Sequence, residues 1–143
     1  MTDFLIRSLT TADELRAAWP VVQQLRPHLD EERFVAQALR QMAEGYRATA
    51  LYDDGVPRAY AGWRVHEFLV YGRHVYVDDL VTDETARSRG YGKALLDWLK
   101  AEAKRLDCVR LQLDSGTHRK DAHAFYLREK LRIDAFHFGI ALD

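Results

Sequence analysis

TARSRGYGKALLDWL, residues 85–99, places two glycines and three cations, Arg87, Arg89 and Lys93, directly ahead of a helical pattern in which Leu95, Leu96 and Leu99 share a face. The residues before it, VDDLVT at 77–82, read as the end of a strand, so Asp83 to Gly90 is a loop that delivers the chain to a helix N-terminus. Such a terminus carries unpaired N–H groups and a partial positive charge. Gly90 and Gly92 lack the β-carbons that would hold an anion away from those amides, and the three cations add charge beside them. The stretch therefore reads either as a pyrophosphate cradle or as a tight strand-to-helix turn with a solvated basic face. Neither GxxxxGK[ST] nor a GxGxxG after a first strand is present, which disfavours ATP and NAD as the anion.

Working outward, the chain downstream of this helix offers a short alternating segment, Cys108 to Leu113, then a helix from Lys120 to Glu129 and a last alternating strand, Ala135 to Leu142. Strand, helix and neighbouring strand imply a right-handed crossover with parallel pairing. Upstream, FLIRSL opens as a strand, and Thr11 to Glu14 spells a capping box for a helix carrying Leu15, Trp19, Val22 and Leu25, with Pro20 inside it. Asp30 is placed to cap a second helix with Phe34, Ala38 and Met42 on one face. Alternation at period two from Arg47 to Tyr52, Arg58 to Val70 and His74 to Val81, punctuated by Asp53-Asp54-Gly55 and Tyr71-Gly72-Arg73, predicts an antiparallel meander. The order β α α β β β α β α β describes an α/β (α+β) fold in one domain over residues 1–143, with a mixed, mostly antiparallel sheet flanked by helices.

Composition limits what such a domain does. The chain has 143 residues, 48% hydrophobic and 30% charged, and 21 Lys and Arg against 22 Asp and Glu give a net charge of -1. No bulk positive field points to nucleic acid or an anionic membrane. No apolar run approaches 20 residues and MTDFLIRSL lacks the form of a signal peptide, so a cytoplasmic protein is expected. The single Cys108 reads as a small buried thiol in its strand. His118, His123, Asp114 and Asp121 are scattered at spacings that do not make a metal site, and none is expected.

RSRGYG, Arg87 to Gly92, resembles the R/Q-x-x-G-x-G/A signature of the GNAT superfamily of acetyl-CoA-dependent N-acetyltransferases. Ala122-His123-Ala124-Phe125-Tyr126 is similar to that family's second landmark, an A-x-x-F/L-Y helix, and the element order resembles the family's over essentially the whole chain. HRKDAHAFYLRE with AFHF beyond it looks most like bacterial aminoalkylphosphonate and other small-amine acetyltransferases. The resemblance implies a fold with a splayed parallel strand pair. It implies acetyl-CoA as donor, with its pyrophosphate on the amides of Arg87, Ser88, Arg89, Gly90, Tyr91, Gly92 and Lys93, and its pantetheine along Leu80, Val81 and Thr82. It also implies direct attack by an amine, with Tyr126 as the acid that protonates the departing thiolate.

The base is less determined. Where many relatives carry a strand glutamate this chain has Tyr76; Asp78 shares a strand face with it, whereas Asp79 takes the opposite face unless a bulge intervenes. Either carboxylate can accept a proton or hold a substrate ammonium, and His74 is a third candidate. Arg119 stands where relatives often carry asparagine, and Lys130-Leu131 where they carry Gly-Phe. Trp19, Tyr46, Tyr60 and Trp63 fit an acceptor pocket or, at these spacings, a core. A small amine is the expected acceptor. A peptide lysine or N-terminus remains an alternative, as does a non-catalytic acyl-CoA sensor. The aromatic final strand offers an edge for a homodimer.

Overall fold

A computed structural model of the chain describes residues 4–86 and 89–143. Strand β1 (Phe4–Leu9) is followed by helices α1 (Ala12–Leu25) and α2 (Glu31–Met42), then by strands β2 (Arg47–Asp53), β3 (Val56–Phe68) and β4 (Gly72–Thr82). A single 3-10 turn (Glu84–Ala86) leads to the glycine turn and helix α3 (Tyr91–Arg105), strand β5 (Arg110–Leu113) and helix α4 (Lys120–Arg128). The sheet order is β1-β2-β3-β4-β5, antiparallel through β4, with β5 parallel to β4.

Local chemistry explains the helix starts. The Thr11 hydroxyl accepts the Glu14 N–H at 3.2 Å while the Glu14 carboxylate takes the Thr11 N–H at 3.1 Å, the reciprocal box expected from the sequence. Asp30 accepts from the Arg33 N–H at 2.8 Å. Together they fix where α1 and α2 begin, and hence which faces meet the sheet.

The chain forms two compact units, 1–112 and 113–143. In the first, alternation along β3 sorts two faces. Tyr60 belongs to the core that α1 and α2 cover, with Phe34 edge-on to its ring at 5.9 Å and Trp19 stacked on Phe34 at 5.5 Å. Trp63 points the other way and meets Trp98 of α3 edge-on at 6.1 Å, over fully buried Leu95, Leu96 and Leu99. Trp19, Tyr46, Tyr60 and Trp63 are all buried, which fits the core reading for Trp19, Tyr60 and Trp63, while Tyr46 also lines a cavity.

Two expectations are corrected. Ala135 to Leu142 forms no strand: the segment is irregular, and Phe136, Phe138, Ile140 and Leu142 are 83–91% exposed. The alternation is present but the five-stranded sheet supplies no partner for it, so the edge expected to pair with a second copy is not formed. Cys108 precedes β5 rather than lying in it and is half-buried, because Asp107 turns the chain with a positive φ of 61°.

Candidate active site

The strand that feeds the glycine turn carries an irregularity that sequence left open. On β3 and β4, Trp63 faces Val77 but the preceding Gly62 faces Asp79, so Asp78 is an extra residue in β4. Residues directly opposite one another point to the same side of a sheet. Val77 therefore shares the α3 side with Trp63, and Asp79 shares the α1/α2 side with Gly62. Asp78, the neighbour of Val77, also faces α1/α2. The bulge brings both carboxylates to one face.

Each carboxylate is held there by an arginine. The Arg64 guanidinium grips Asp78 with Nε 3.1 Å from both oxygens and Nη2 2.6 Å from Oδ2, which raises the arginine's own pKa through that hydrogen bond against the opposing cost of burial. Arg26, just past the end of α1, donates from Nε to Asp79 Oδ1 at 2.9 Å and from Nη2 to the Asp78 carbonyl at 3.1 Å. Tyr46 donates to Asp79 Oδ2 at 2.8 Å, and its oxygen lies 2.8 Å from that of Tyr60. Burial pushes both phenols well above the ordinary tyrosine value. Asp79, Arg26 and Tyr46 line a half-open cavity of about 310 Å³ together with Val22, His28, Leu29, Phe34, Ala38 and the glutamines Gln37 and Gln41 of α2. That volume suits a small ligand.

Beyond the bulge, Leu80, Val81 and Thr82 pair with Ala61, Tyr60 and Ala59 on β3. Their other edge is different. Val109 donates to the Arg73 carbonyl at 2.8 Å, and β5 has only four residues after it, so parallel pairing runs out near Val77. The backbone from Asp78 to Thr82 extends past the end of that ladder.

The loop that follows is pinned at its start. Asp83 accepts from the Thr85 N–H at 3.1 Å, the Thr85 hydroxyl at 2.9 Å, Arg58 at 2.8 Å and Gln24 at 3.3 Å. Burial pushes its carboxyl up, but these donors outweigh that and hold it down at about 2. At the loop's end Gly90, φ +83°, is the N-cap of α3, and no side chain caps the helix amides. Arg89 is exposed and Lys93 pairs with Asp97 at 3.4 Å. Arg87 and Ser88 lie outside the described residues.

A match to the family model for the acetyltransferase (GNAT) family extends over residues 9–130. The chain belongs to this family. The GNAT chain is 37% identical over 123 residues to the uncharacterized N-acetyltransferase YhdJ of Bacillus subtilis (strain 168), covering 85% of this chain and 86% of that one. It is 35% identical over 66 residues to the aminoalkylphosphonate N-acetyltransferase of Salmonella typhimurium, covering 46% of this chain and 43% of the other. Its fold matches that of the aminoglycoside N-acetyltransferase AAC(6')-Iy in complex with CoA with a TM-score of 0.84 at 15% identity, over 99% of this chain and 96% of that one.

The remaining expected residues of this acetyltransferase fall as follows. His74 is fully buried on the same face as Tyr76; its Nδ1 carries the hydrogen, given to the Gly72 carbonyl at 2.9 Å, and its Nε2 has no partner among the described residues. Tyr126 belongs to the second unit, on α4, with its ring 5.6 Å from that of Phe125. Burial pushes its phenol up, with the Arg119 charge opposing. Among the described residues no three His, Cys, Asp or Glu side chains converge as a metal site. Arg26 and Gly62 were missed: neither lies in a motif, and only folding brings them to Asp79.

Proposed function

We propose that this acetyltransferase moves an acetyl group from acetyl-CoA to a small primary amine by direct attack, within one functional domain of residues 1–143 that works in a reducing cytoplasm, where its one thiol, Cys108, stays free. The observation that carries the reading is the course of β4. One short stretch of strand runs from Asp79 on the lining of a half-open cavity, through an edge that β5 leaves unpaired, into a loop that ends on a helix N-terminus with no side-chain cap.

In this reading the α3 amides and the cations of Arg87 to Lys93 hold the donor's phosphates. The free edge of Leu80 to Thr82 offers backbone donors and acceptors to the pantetheine arm and an N–H to the developing oxyanion. Asp79, rather than Asp78, receives the acceptor amine, because Asp79 lines the cavity whereas both carboxylate oxygens of Asp78 are engaged by the Arg64 guanidinium. A carboxylate has about four lone-pair sites, so Asp79 keeps acceptor capacity beside Arg26 and Tyr46. It orients an ammonium and draws its proton away. Tyr126, protonated throughout the working range, supplies the proton for the leaving thiolate. The cavity volume is of the size that a small amine fills.

The test is thermal unfolding with and without acetyl-CoA, with ATP and NAD as controls, since a ligand of the native state raises Tm. A rise selective for acetyl-CoA, followed by amine-dependent release of free thiol from a panel that includes aminoalkylphosphonates, supports the reading. No rise with acetyl-CoA overturns it.

A further inference from the structure

Gly62 sits within β3, directly opposite Asp79 and on the face that carries Tyr60 and Arg64. Its backbone is not left-handed, so conformation does not explain a glycine there. Space does. A β-carbon on residue 62 would lie 1.8 Å from the Tyr46 hydroxyl oxygen, 2.4 Å from Tyr46 Cζ and 2.6 Å from Asp79 Oδ2. Making room would cost these atoms their contacts: Tyr46 is 4% exposed, its oxygen is engaged by both Tyr60 and Asp79, and Arg26 holds the other oxygen of Asp79.

The hydrogen-bond chain has one polarity. Tyr46 owns a single hydrogen, and a carboxylate only accepts, so that hydrogen goes to Asp79. Tyr60 must then donate to Tyr46. The order Tyr60 to Tyr46 to Asp79 ends at the cavity lining, with Arg26 on the other oxygen of the carboxylate. A mid-strand glycine costs stability relative to a residue with a side chain. Here it leaves the one volume through which a phenol reaches across β3 to a carboxylate on β4.

We propose that Gly62 and Tyr46 are positioning residues for the acceptor amine: the glycine admits the Tyr46 hydroxyl, and the hydroxyl, with Arg26, locks Asp79 in the orientation that meets the amine. The proposal rests on the acceptor role of Asp79 given above. It assigns to a glycine outside every motif the task of setting acceptor affinity.

The test compares Gly62→Ala, Tyr46→Phe and the double variant with the native protein, using 2-aminoethylphosphonate and benzylamine as acceptor probes. Gly62→Ala is expected to raise the KM for the amine at least tenfold while the Tm rise with acetyl-CoA persists. Tyr46→Phe raises it less, because the ring stays, and the double variant is no worse than Gly62→Ala, because both act on one contact. Loosened structure alone would weaken both substrates together. Titration of tyrosinate absorbance gives a second readout: Gly62→Ala expels Tyr46 from its site, so one more tyrosine ionises near pH 10 than in the native protein. A folded Gly62→Ala with native KM and kcat overturns the proposal. Should the native protein acetylate neither probe, the small-amine reading loses its support, and the titration decides the proposal separately: equal numbers of ionising tyrosines overturn it. Should Gly62→Ala not fold, Tyr46→Phe, which adds no atom, carries the KM test, and an unchanged KM overturns the proposal.

Discussion

Tyr91, the first residue of α3, donates its phenolic hydrogen to Asp53, the last residue of β2, at 2.6 Å across 38 positions of chain. Its ring is buried edge-on to Phe4 at 5.0 Å, and Arg89 hydrogen-bonds the same phenol. The Asp53 bond pushes the Tyr91 phenol up, helped by burial and opposed by Arg89. The side chain of Tyr91 is thus spent inside the protein, and only its backbone remains for an anion.

This tie predicts that Tyr91→Phe keeps the ring packing but frees Asp53 beside the glycine turn. Acetyl-CoA affinity is expected to fall severalfold in calorimetry, with kcat at saturating donor nearly native. Unchanged affinity would mean that the turn keeps its shape without the bond to β2.

Asp83 makes the start of the same loop sensitive to acid. Its carboxyl is held at about 2 against an ordinary 3.8, so its donors stabilise the fold above pH 4 and the contribution is lost as pH falls toward 2. The shift corresponds to on the order of 2 kcal/mol at neutral pH. Asp83→Asn should therefore be less stable than native by about that amount in urea unfolding at pH 7, and the gap should close near pH 2. A gap that persists at pH 2 would assign the effect to packing rather than charge.

How much of this was legible in the sequence follows from what each signal encodes. The capping residues Thr11, Glu14 and Asp30 act within a turn of their own positions, so the sequence states them outright. The alternation of β2 to β4 names the meander for the same reason. By contrast, Phe136, Phe138, Ile140 and Leu142 alternate as a strand does, yet period two records only that one side is apolar, not what pairs with it. The bulge at Asp78 is a property of the register between two strands, and neither strand announces it alone. Arg26 meets Asp79 across 53 positions, which no local pattern reports.

Tyr126→Phe removes only a hydroxyl from a half-buried ring. If that hydroxyl protonates the leaving thiolate, kcat falls about 100-fold or more while acetyl-CoA affinity is unchanged. Because burial raises the phenol, the native rate should show no loss from its ionisation until the pH exceeds 10. Native turnover in the variant would remove Tyr126 from the chemistry.

Gly90 and Gly62 should fail for opposite reasons. A β-carbon at Gly90 meets nothing within 4 Å, so substitution there is limited by its φ of +83° and not by space. Asparagine tolerates that region best, alanine costs about 1–2 kcal/mol, and valine costs more. The series Gly90→Asn, Gly90→Ala, Gly90→Val is expected to lose acetyl-CoA affinity in that order, with the amine KM unaffected at saturating donor. Calorimetry with acetyl-CoA on each folded variant checks it. Affinity that stays native along a series whose stability declines would show that the turn shapes the start of α3 without binding phosphate. Affinity that falls in step with stability would tie binding to the left-handed cap, because the β-carbon added at Gly90 meets no atom of the protein within 4 Å.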